Sequence, residues 1–257
     1  MTIAHTDTVW PPDVLTLSID IGGSGFKASI VNTQGVMTTE RVRIETPYPC
    51  PPDRLVETLT HLVAPLLNVH RVSVGFPGLV RHGHIIEVPS LSRAVYGGER
   101  DPELAEEWHG FDLAGTLAQS FQLPTKVVND ADMQGCAVVH GTGLEFVVTF
   151  GTGVGTALFN DGTLLPHLEL SHGPFRDGIS FDIALGNAQR KEIGNERWAK
   201  RVRKAIRNFD DMLYFDRVFV GGGNAKHLSP ADIGPKGEIV PNTSGILGGV
   251  RVWDLAT

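Results

Sequence analysis

A glycine turn with strand-like sequence on both sides limits this chain more than any other feature. In Ser18-Ile19-Asp20-Ile21-Gly22-Gly23-Ser24-Gly25-Phe26-Lys27-Ala28-Ser29-Ile30, residues 14–21 run largely apolar before the glycines. Residues 26–31 resume a β-branched pattern after them, so the turn joins two strands. A dinucleotide fold or a Walker loop instead sends its glycine turn into a helix whose N-terminus holds the phosphate. The cradle here is a hairpin of backbone N–H groups, with Asp20 at the strand end facing an anion through a cation. The device recurs in Val147-Val148-Thr149-Phe150-Gly151-Thr152-Gly153-Val154-Gly155-Thr156-Ala157-Leu158-Phe159. Glycine at such turns permits positive φ and a close approach of backbone to ligand. A third run, Arg217-Val218-Phe219-Val220-Gly221-Gly222-Gly223-Asn224-Ala225-Lys226, reads as strand, glycine turn and helix start. One such cluster alone is as readily a plain tight hairpin. Two hairpin cradles and a glycine-floored pocket, in this order, point to a phosphate or nucleotide site split between two related halves.

The chain of 257 residues, 41% hydrophobic and 20% charged, can build one large or two modest domains around a real core. A net charge of -7 argues against nucleic-acid binding, which rests on an excess of Lys and Arg. Cys50 and Cys136 are too few for a zinc cluster and too far apart in sequence for a redox pair. A reduced, cytoplasmic protein without structural zinc is therefore expected. No apolar run reaches membrane-spanning length, and the first eight residues lack the basic start and apolar stretch of a signal peptide, so no membrane association is expected.

Residues 36–44 read as a further strand, and the proline-rich stretch 46–52 as a stiff connector. Asp53 then suits a helix N-cap, with Leu55, Leu59, Leu62, Val63 and Leu66 at helical spacing. A buried strand over 71–76, a tight turn around Pro77 and Gly78, a helix over 113–121 and a strand over 125–128 follow. The order β-β-β-α-β then α-β, repeated after the second glycine hairpin, predicts an α/β fold with a mixed sheet in each half.

The most chemically suggestive polar cluster is Asn129-Asp130-Ala131-Asp132-Met133-Gln134-Gly135. A carboxylate just past a strand and at the head of a helix can aim into a cleft and take a proton from an alcohol, and Asp130 is the candidate. Helix capping by Asn129 or Asp130 is the plainer reading of the same residues, and the two are compatible. Glu169 and His172 offer an acceptor and a donor to a polyhydroxylated ligand. The helix expected over 195–214 carries a core stripe of Trp198, Val202, Ala205, Ile206, Phe209 and Leu213. Its other face gathers Arg197, Lys200, Arg201, Arg203, Lys204 and Arg207, joined upstream by Arg190 and Lys191 and opposed by Glu192 and Glu196. Such a run usually marks a solvated face; a track for an extended phosphate polymer is the specific rival.

These segments in this order resemble the ROK sugar kinases of the actin-like ATPase superfamily, from Asp20 through Gly75-Phe76-Pro77-Gly78 and Asn129 to Gly223. Within it the chain looks most like the polyphosphate glucokinase branch, through Asn129-Asp130-Ala131-Asp132, the Gly221 to Lys226 segment and Glu196-Arg197-Trp198-Ala199. The absence of the Cys-rich zinc loop fits that branch. The resemblance implies a two-domain, ribonuclease H-like α/β fold with a cleft between the lobes. A small N-terminal lobe would take residues 1–138 plus a closing C-terminal helix over 243–257, and a large C-terminal lobe residues 139–242. It implies phosphoryl transfer from ATP or inorganic polyphosphate to the 6-hydroxyl of glucose or mannose, with Mg2+, in a homodimer. Asp130 would be the general base; Gly78, Asn129, Glu169 and His172 would hold the sugar together with it. Donor phosphates would meet Gly22, Gly23, Ser24, Gly25, Lys27, Gly151, Thr152, Gly153, Gly155, Gly221, Gly222, Gly223 and Lys226. Asp20 would orient hydrated Mg2+, and Lys27, on an outgoing strand, is not placed as a Walker lysine.

The chain departs from the family pattern at Ser171, where Gly is usual, and at Ser90, where Asn is common. Three readings follow: a hexose kinase, a sugar- or phosphate-binding relative without turnover, and a structural member of the fold that acts through partners. Asp130 with both hairpins favours the kinase. The short stretch before the first strand is expected to exclude a DNA-binding regulator, which would carry a helix-turn-helix there.

Overall fold

A computed structural model describes residues 10–66, 68–241 and 244–255. Residues 1–9, where no leader is expected, lie outside it, as do positions 1, 243 and 257 that bound the expected lobes. The first half runs β1 (Thr16–Gly22), β2 (Gly25–Val31), β3 (Val42–Ile44), α1 (Pro52–Val63), β4 (Arg71–Phe76), the small hairpin β5 (Leu79–Arg81) and β6 (His84–Glu87), α2 (Pro102–Trp108), α3 (Leu113–Phe121), β7 (Thr125–Asn129) and α4 (Asp130–Cys136). The second runs β8 (Leu144–Phe150), β9 (Val154–Asn160), β10 (Thr163–Leu164), β11 (Pro174–Arg176), β12 (Ile179–Ser180), α5 (Phe181–Leu185), α6 (Asn187–Ile193), α7 (Asn195–Leu213), β13 (Arg217–Gly221), α8 (Pro230–Ile233) and β14 (Gly237–Ile239), before α9 (Ser244–Leu255). The two five-stranded sheets have the orders β3-β2-β1-β4-β7 and β10-β9-β8-β13-β14. Each places its glycine hairpin first and then adds strands parallel to the hairpin's leading strand. This is the mixed α/β duplication that the repeated order of elements predicts.

Strand alternation sorts the layers. Leu17, Ile19 and Ile21 of β1 with Val72, Val74 and Phe76 of β4 pack under Leu55 and Leu59 of α1 and Leu113 and Leu117 of α3. Each such side chain, fully buried, contributes on the order of 1.5–3 kcal/mol. The opposite face carries Ser18 and Ser73, whose hydroxyls donate to Ile246 and Gly249 of α9 at 2.7 and 2.6 Å. Small residues on both sides let α9 lie against the sheet. A Cβ at Gly249 would come 2.3 Å from Ser18 Oγ, and one at Gly248 would come 1.7 Å from the Met133 carbonyl oxygen of α4. Helices α4 and α9 thus form a layer between the sheets, where Met133, Cys136 and Val252 meet Val147, Ala157, Phe159 and Phe219. On the outer side of the second sheet, α7 buries Trp198, Val202, Ala205, Ile206 and Phe209 against Phe146, Val148 and Phe150. This is the core stripe its spacing predicts.

Four local expectations are corrected. The strand expected over 36–44 is reduced to Val42–Ile44 with a single bridge between Val31 and Met37. Thr39 Oγ1 accepts the Ile30 N–H at 3.0 Å, and this side-chain bond replaces the ladder there. Helix α1 starts with Pro51 at the N-cap and Pro52 after it, leaving Asp53 inside the first turn without a capping bond. Proline at the first helical position lacks the N–H that a cap would satisfy. After Gly223 the chain makes a short 3-10 turn over Ala225–His227, because Asn224 is tied back to the second hairpin. Of the hairpin and turn glycines at 22, 23, 25, 151, 153, 155 and 221–223, only Gly222 takes a positive φ (+83°). Gly25, Gly153, Gly155 and Gly221 are crowded instead: a Cβ at Gly153 would lie 2.2 Å from Asp182 Oδ1, and one at Gly25 3.0 Å from the Ile44 carbonyl oxygen, whereas Gly151 and Gly223 face open space.

Candidate active site

Thr16, Ser18 and Asp20 share the inner face of β1, so the strand that feeds the first hairpin turns Asp20 toward the layer holding α4. Lys27, its cross-strand partner, ion-pairs with it at 3.0 Å. Next to Asp20 across the parallel pair stands Gly75 of β4, and next to Gly75 stands Val128 of β7. A Cβ at Gly75 would fall 2.7 Å from Met133 Cε and 3.4 Å from Asp130 Cα. The missing side chain is what lets the head of α4 settle on the sheet and bring Asp130 into the field of Asp20.

Asn129 caps α4, its Oδ1 accepting the Ala131 N–H at 2.7 Å while its Nδ2 donates to the Gly78 carbonyl at 3.0 Å. Its side chain and the Gly78 carbonyl are thus already committed to each other, and a Cβ at Gly78 would strike the Glu87 carbonyl at 2.2 Å. Asp130, partly exposed, also accepts the Ala131 N–H at 2.8 Å. Capping therefore belongs mainly to Asn129, and Asp130 Oδ2 accepts no hydrogen bond from the described residues. Burial, then the charge of Asp20, pushes Asp130 up to about 7.

Glu169 and His172 lie on the loop after β10, with His172 Nε2 3.7 Å from Glu169 Oε2. Between them and α4 stands a group that the sequence reading missed. Buried His167 places Nδ1 3.0 Å from Asp132 Oδ1 and Nε2 3.5 Å from Glu169 Oε1, while Arg81 donates to its carbonyl. Burial alone would lower His167, but the bonds to Asp132 and Glu169 outweigh it and push it up to about 9. Burial lifts Asp132 too, so the two compete for a proton. Its seat is the imidazole, which faces two carboxylates. Burial opposes ionisation of Glu169, and the His167 bond outweighs it and holds the carboxyl low. A clamp Asp132–His167–Glu169–His172 thus joins α4 to the loop; its one sequence signal is a histidine two residues before Glu169.

In the second hairpin the Gly151 N–H bonds the Gly153 carbonyl at 2.9 Å and the Val154 N–H bonds Asp182 Oδ1 at 2.7 Å. Gly155 packs on Ala131 of α4, where a Cβ would come 2.9 Å from Ala131 Cβ. The hairpin therefore lies against the helix that carries Asp130. The third glycine turn joins it through Asn224, whose N–H and Nδ2 bond the Phe150 and Gly151 carbonyls at 2.9 and 3.0 Å and whose Oδ1 accepts from Arg190 at 3.1 Å. At Gly222 a Cβ would meet the Phe150 oxygen at 2.5 Å. Gly223 and Lys226 are exposed beside this junction. In the first hairpin, the Gly22 and Gly23 carbonyls accept from Thr46 and Tyr48 at 2.6 and 2.8 Å. Tyr48 Oη also lies 3.0 Å from the Ser90 carbonyl oxygen, so its one proton is shared between the two carbonyls, and Ser171 is buried beneath the His172 turn. Asp182, Asn224 and Arg190 are further residues that the sequence reading did not place at the site; nothing in their local sequence sets them apart.

The arrangement combines a carboxylate poised near neutrality, a second carboxylate beside a lysine, and two glycine hairpins, the second of which lies against the helix that carries Asp130. A family model described as "ROK family" matches residues 16–167. A polyphosphate glucokinase of Mycobacterium tuberculosis (strain CDC 1551 / Oshkosh) is 27% identical over 266 residues, covering 96% of each chain. The crystal structure of an inorganic polyphosphate/ATP-glucomannokinase from Arthrobacter sp. strain KM superposes with a TM-score of 0.74 at 27% identity, covering 93% of this chain and 97% of that one. A ROK family glucokinase from Streptomyces griseus, in complex with glucose and AMPPNP, shares the fold with a TM-score of 0.72 at 16% identity, covering 93% and 98%.

Proposed function

The chain belongs to the ROK family, and from that premise we propose that it is a hexokinase-type phosphotransferase, moving a phosphoryl group from polyphosphate or ATP to the 6-hydroxyl of glucose or mannose. The observation that carries the reading is Asp130 at the head of α4, between Asp20 and the clamp that ends on Glu169 and His172, with its pKa raised to about 7. A general base works best when its pKa lies near the operating pH. The O6–H proton passes to Asp130, O6 forms a bond to the donor's terminal phosphorus, and the bridging P–O bond breaks to leave ADP or a polyphosphate shorter by one unit. Such transfer needs in-line placement and charge neutralisation more than covalent help.

Glu169 and His172, with Asn129 and Gly78 shaping the floor, hold the hexose. The hairpins at Gly22–Gly25 and Gly151–Gly155, with the turn at Gly221–Gly223, Lys27 and Lys226, receive the donor. The residues fit Mg2+: a hard cation that keeps several waters needs one or two carboxylates plus donor phosphates, and Asp20 supplies one in the field of Asp130. When bound, the ion would neutralise donor phosphate charge. We take the lobes as 1–138 plus 243–257 and 139–242, and the active form as a cytoplasmic homodimer. Among the described residues no helix is long and apolar enough to cross a membrane.

A coupled assay over several hexoses, with ATP and polyphosphate supplied separately, tests the proposal. Product is expected with at least one pair, and absence of product with every pair removes it. Asp130→Asn is expected to lower kcat by at least about 10²-fold, with hexose affinity kept.

A further inference from the structure

The basic face of α7 is one wall of a groove of about 360 Å³ whose lining also draws on β11 and α6. Phe175 and Ile193 provide apolar surface, and Arg176, Arg197, Lys200, Arg201 and Lys204 provide the charge. Five cations therefore meet in one concavity of a chain whose net charge is -7. The carboxylates that reach them are few. Glu196 pairs with Lys200 at 3.0 Å and Asp177 with Arg176 at 2.8 Å, both at exposed positions. Arg201 donates to the Ala184 carbonyl of α5 at 3.3 Å, and Lys204 sits 5.5 Å over the Phe175 ring. Among the described residues neither Arg197 nor Lys204 has a carboxylate partner in an ion pair. The basic face is thus joined by an arginine from a separate strand along an open groove.

The groove adjoins the second hairpin through α5. Asp182, in the first turn of that helix, accepts the Val154 N–H of the hairpin, and Ala184, two residues on, accepts from Arg201 of the groove. A ligand seated on the hairpin and also touching the groove must be long, flexible and densely anionic.

Resting on the kinase reading above, we propose that this groove holds the distal phosphates of a linear inorganic polyphosphate whose reacting end lies at the second hairpin. It selects long donors over short ones. Short donors such as ATP or tripolyphosphate carry too few phosphates to engage the hairpin and the whole groove together. Clustered cations beside a low-dielectric wall raise the local concentration of a polyanion, and salt screens that attraction over about 8 Å at physiological ionic strength.

The test is the double variant Arg197→Gln/Lys204→Gln, with unfolding temperature and circular dichroism as folding controls. KM for polyphosphate of several tens of units is expected to rise about tenfold and to lose most of its salt dependence, while KM for tripolyphosphate and for ATP stays within about twofold. An equal change for all three donors, or no change for the long one, overturns the proposal. Direct binding of fluorescently labelled long polyphosphate separates this failure from failure of the kinase reading. If the wild-type protein phosphorylates no hexose yet binds the polymer and the variant does not, the groove stands and the catalytic reading falls. Equal binding by both proteins, or equal competition by single-stranded DNA of matched charge, sinks the groove assignment itself.

Discussion

Replacing Asp130 by Asn should make the protein more stable while abolishing its proposed chemistry. The carboxyl ionises near 3.8 in an unfolded chain and at about 7 in the fold, where burial and Asp20 oppose its charge. A folded pKa above the unfolded one means the acid form favours folding. That contribution is complete below pH 3.8 and is lost as pH rises through 7. The difference of about 3 units, at about 1.36 kcal/mol each, sets an upper bound of about 4 kcal/mol. Partial exposure to the cleft screens the charge, so about 1–2 kcal/mol is the working figure. For a chain of this size that is about 2–8 °C in Tm. Asn keeps the acceptor for the Ala131 N–H and adds no charge. Thermal unfolding of both proteins in metal-free buffer is the assay. Asp130→Asn should melt higher at pH 8, with the gap falling to well under half by pH 4. A variant no more stable at pH 8, or a gain unchanged between the two pH values, would refute the claim that charge at this position opposes folding.

The His167 clamp makes the opposite electrostatic forecast. Its positive charge lowers Asp130, so His167→Gln should move the acid limb of kcat/KM to higher pH and raise the hexose KM; a limb that stays put rejects the coupling. Because His167 is raised from 6.5 to about 9, its stabilisation is fully present below 6.5 and fades as pH passes 9, so the stability gap to His167→Gln should close over that window. Gly222→Ala must place a side chain at φ +83° against the Phe150 oxygen, and is expected to cost at least about 2 kcal/mol. Gly223→Ala, with open space around it, should stay within about 0.5 kcal/mol; equal melting temperatures for the two would contradict the geometry. Gly75→Ala presses on Met133 and Asp130, and because the flexible Met133 end can give way, kcat should fall more than stability does. A lowered Tm with kcat unchanged would show that Gly75 serves packing alone.

The glycine hairpins and the order of elements were legible because period-two alternation and turn residues are local signals. The stripe from Trp198 to Phe209 likewise announced the side of α7 that faces the second sheet. The reason for each hairpin glycine was not legible. Sequence offered positive φ or a close approach to a ligand as reasons, whereas Gly153 and Gly25 are crowded by Asp182 and the Ile44 carbonyl, neighbours 29 and 19 residues away. Asp130 stood out by its place after a strand, but what raises its pKa is burial and then the charge of Asp20, brought near through the bare backbone of Gly75. His167 went unnoticed because its partner Asp132 lies 35 residues upstream on another element. Contacts of that range leave no periodic trace.

Helix α9 supplies the back wall against which α4 and the first sheet are seated, through Ser18, Ser73 and the carbonyl of Met133. It is also the last described segment to leave the ribosome. A nascent chain can pair its strands in order from the start, yet the helix bearing Asp130 stays unbraced until residues 244–255 emerge. One that stops short of α9 therefore lacks this brace, and removing residues 244–255 should unseat Asp130 while leaving both sheets in place.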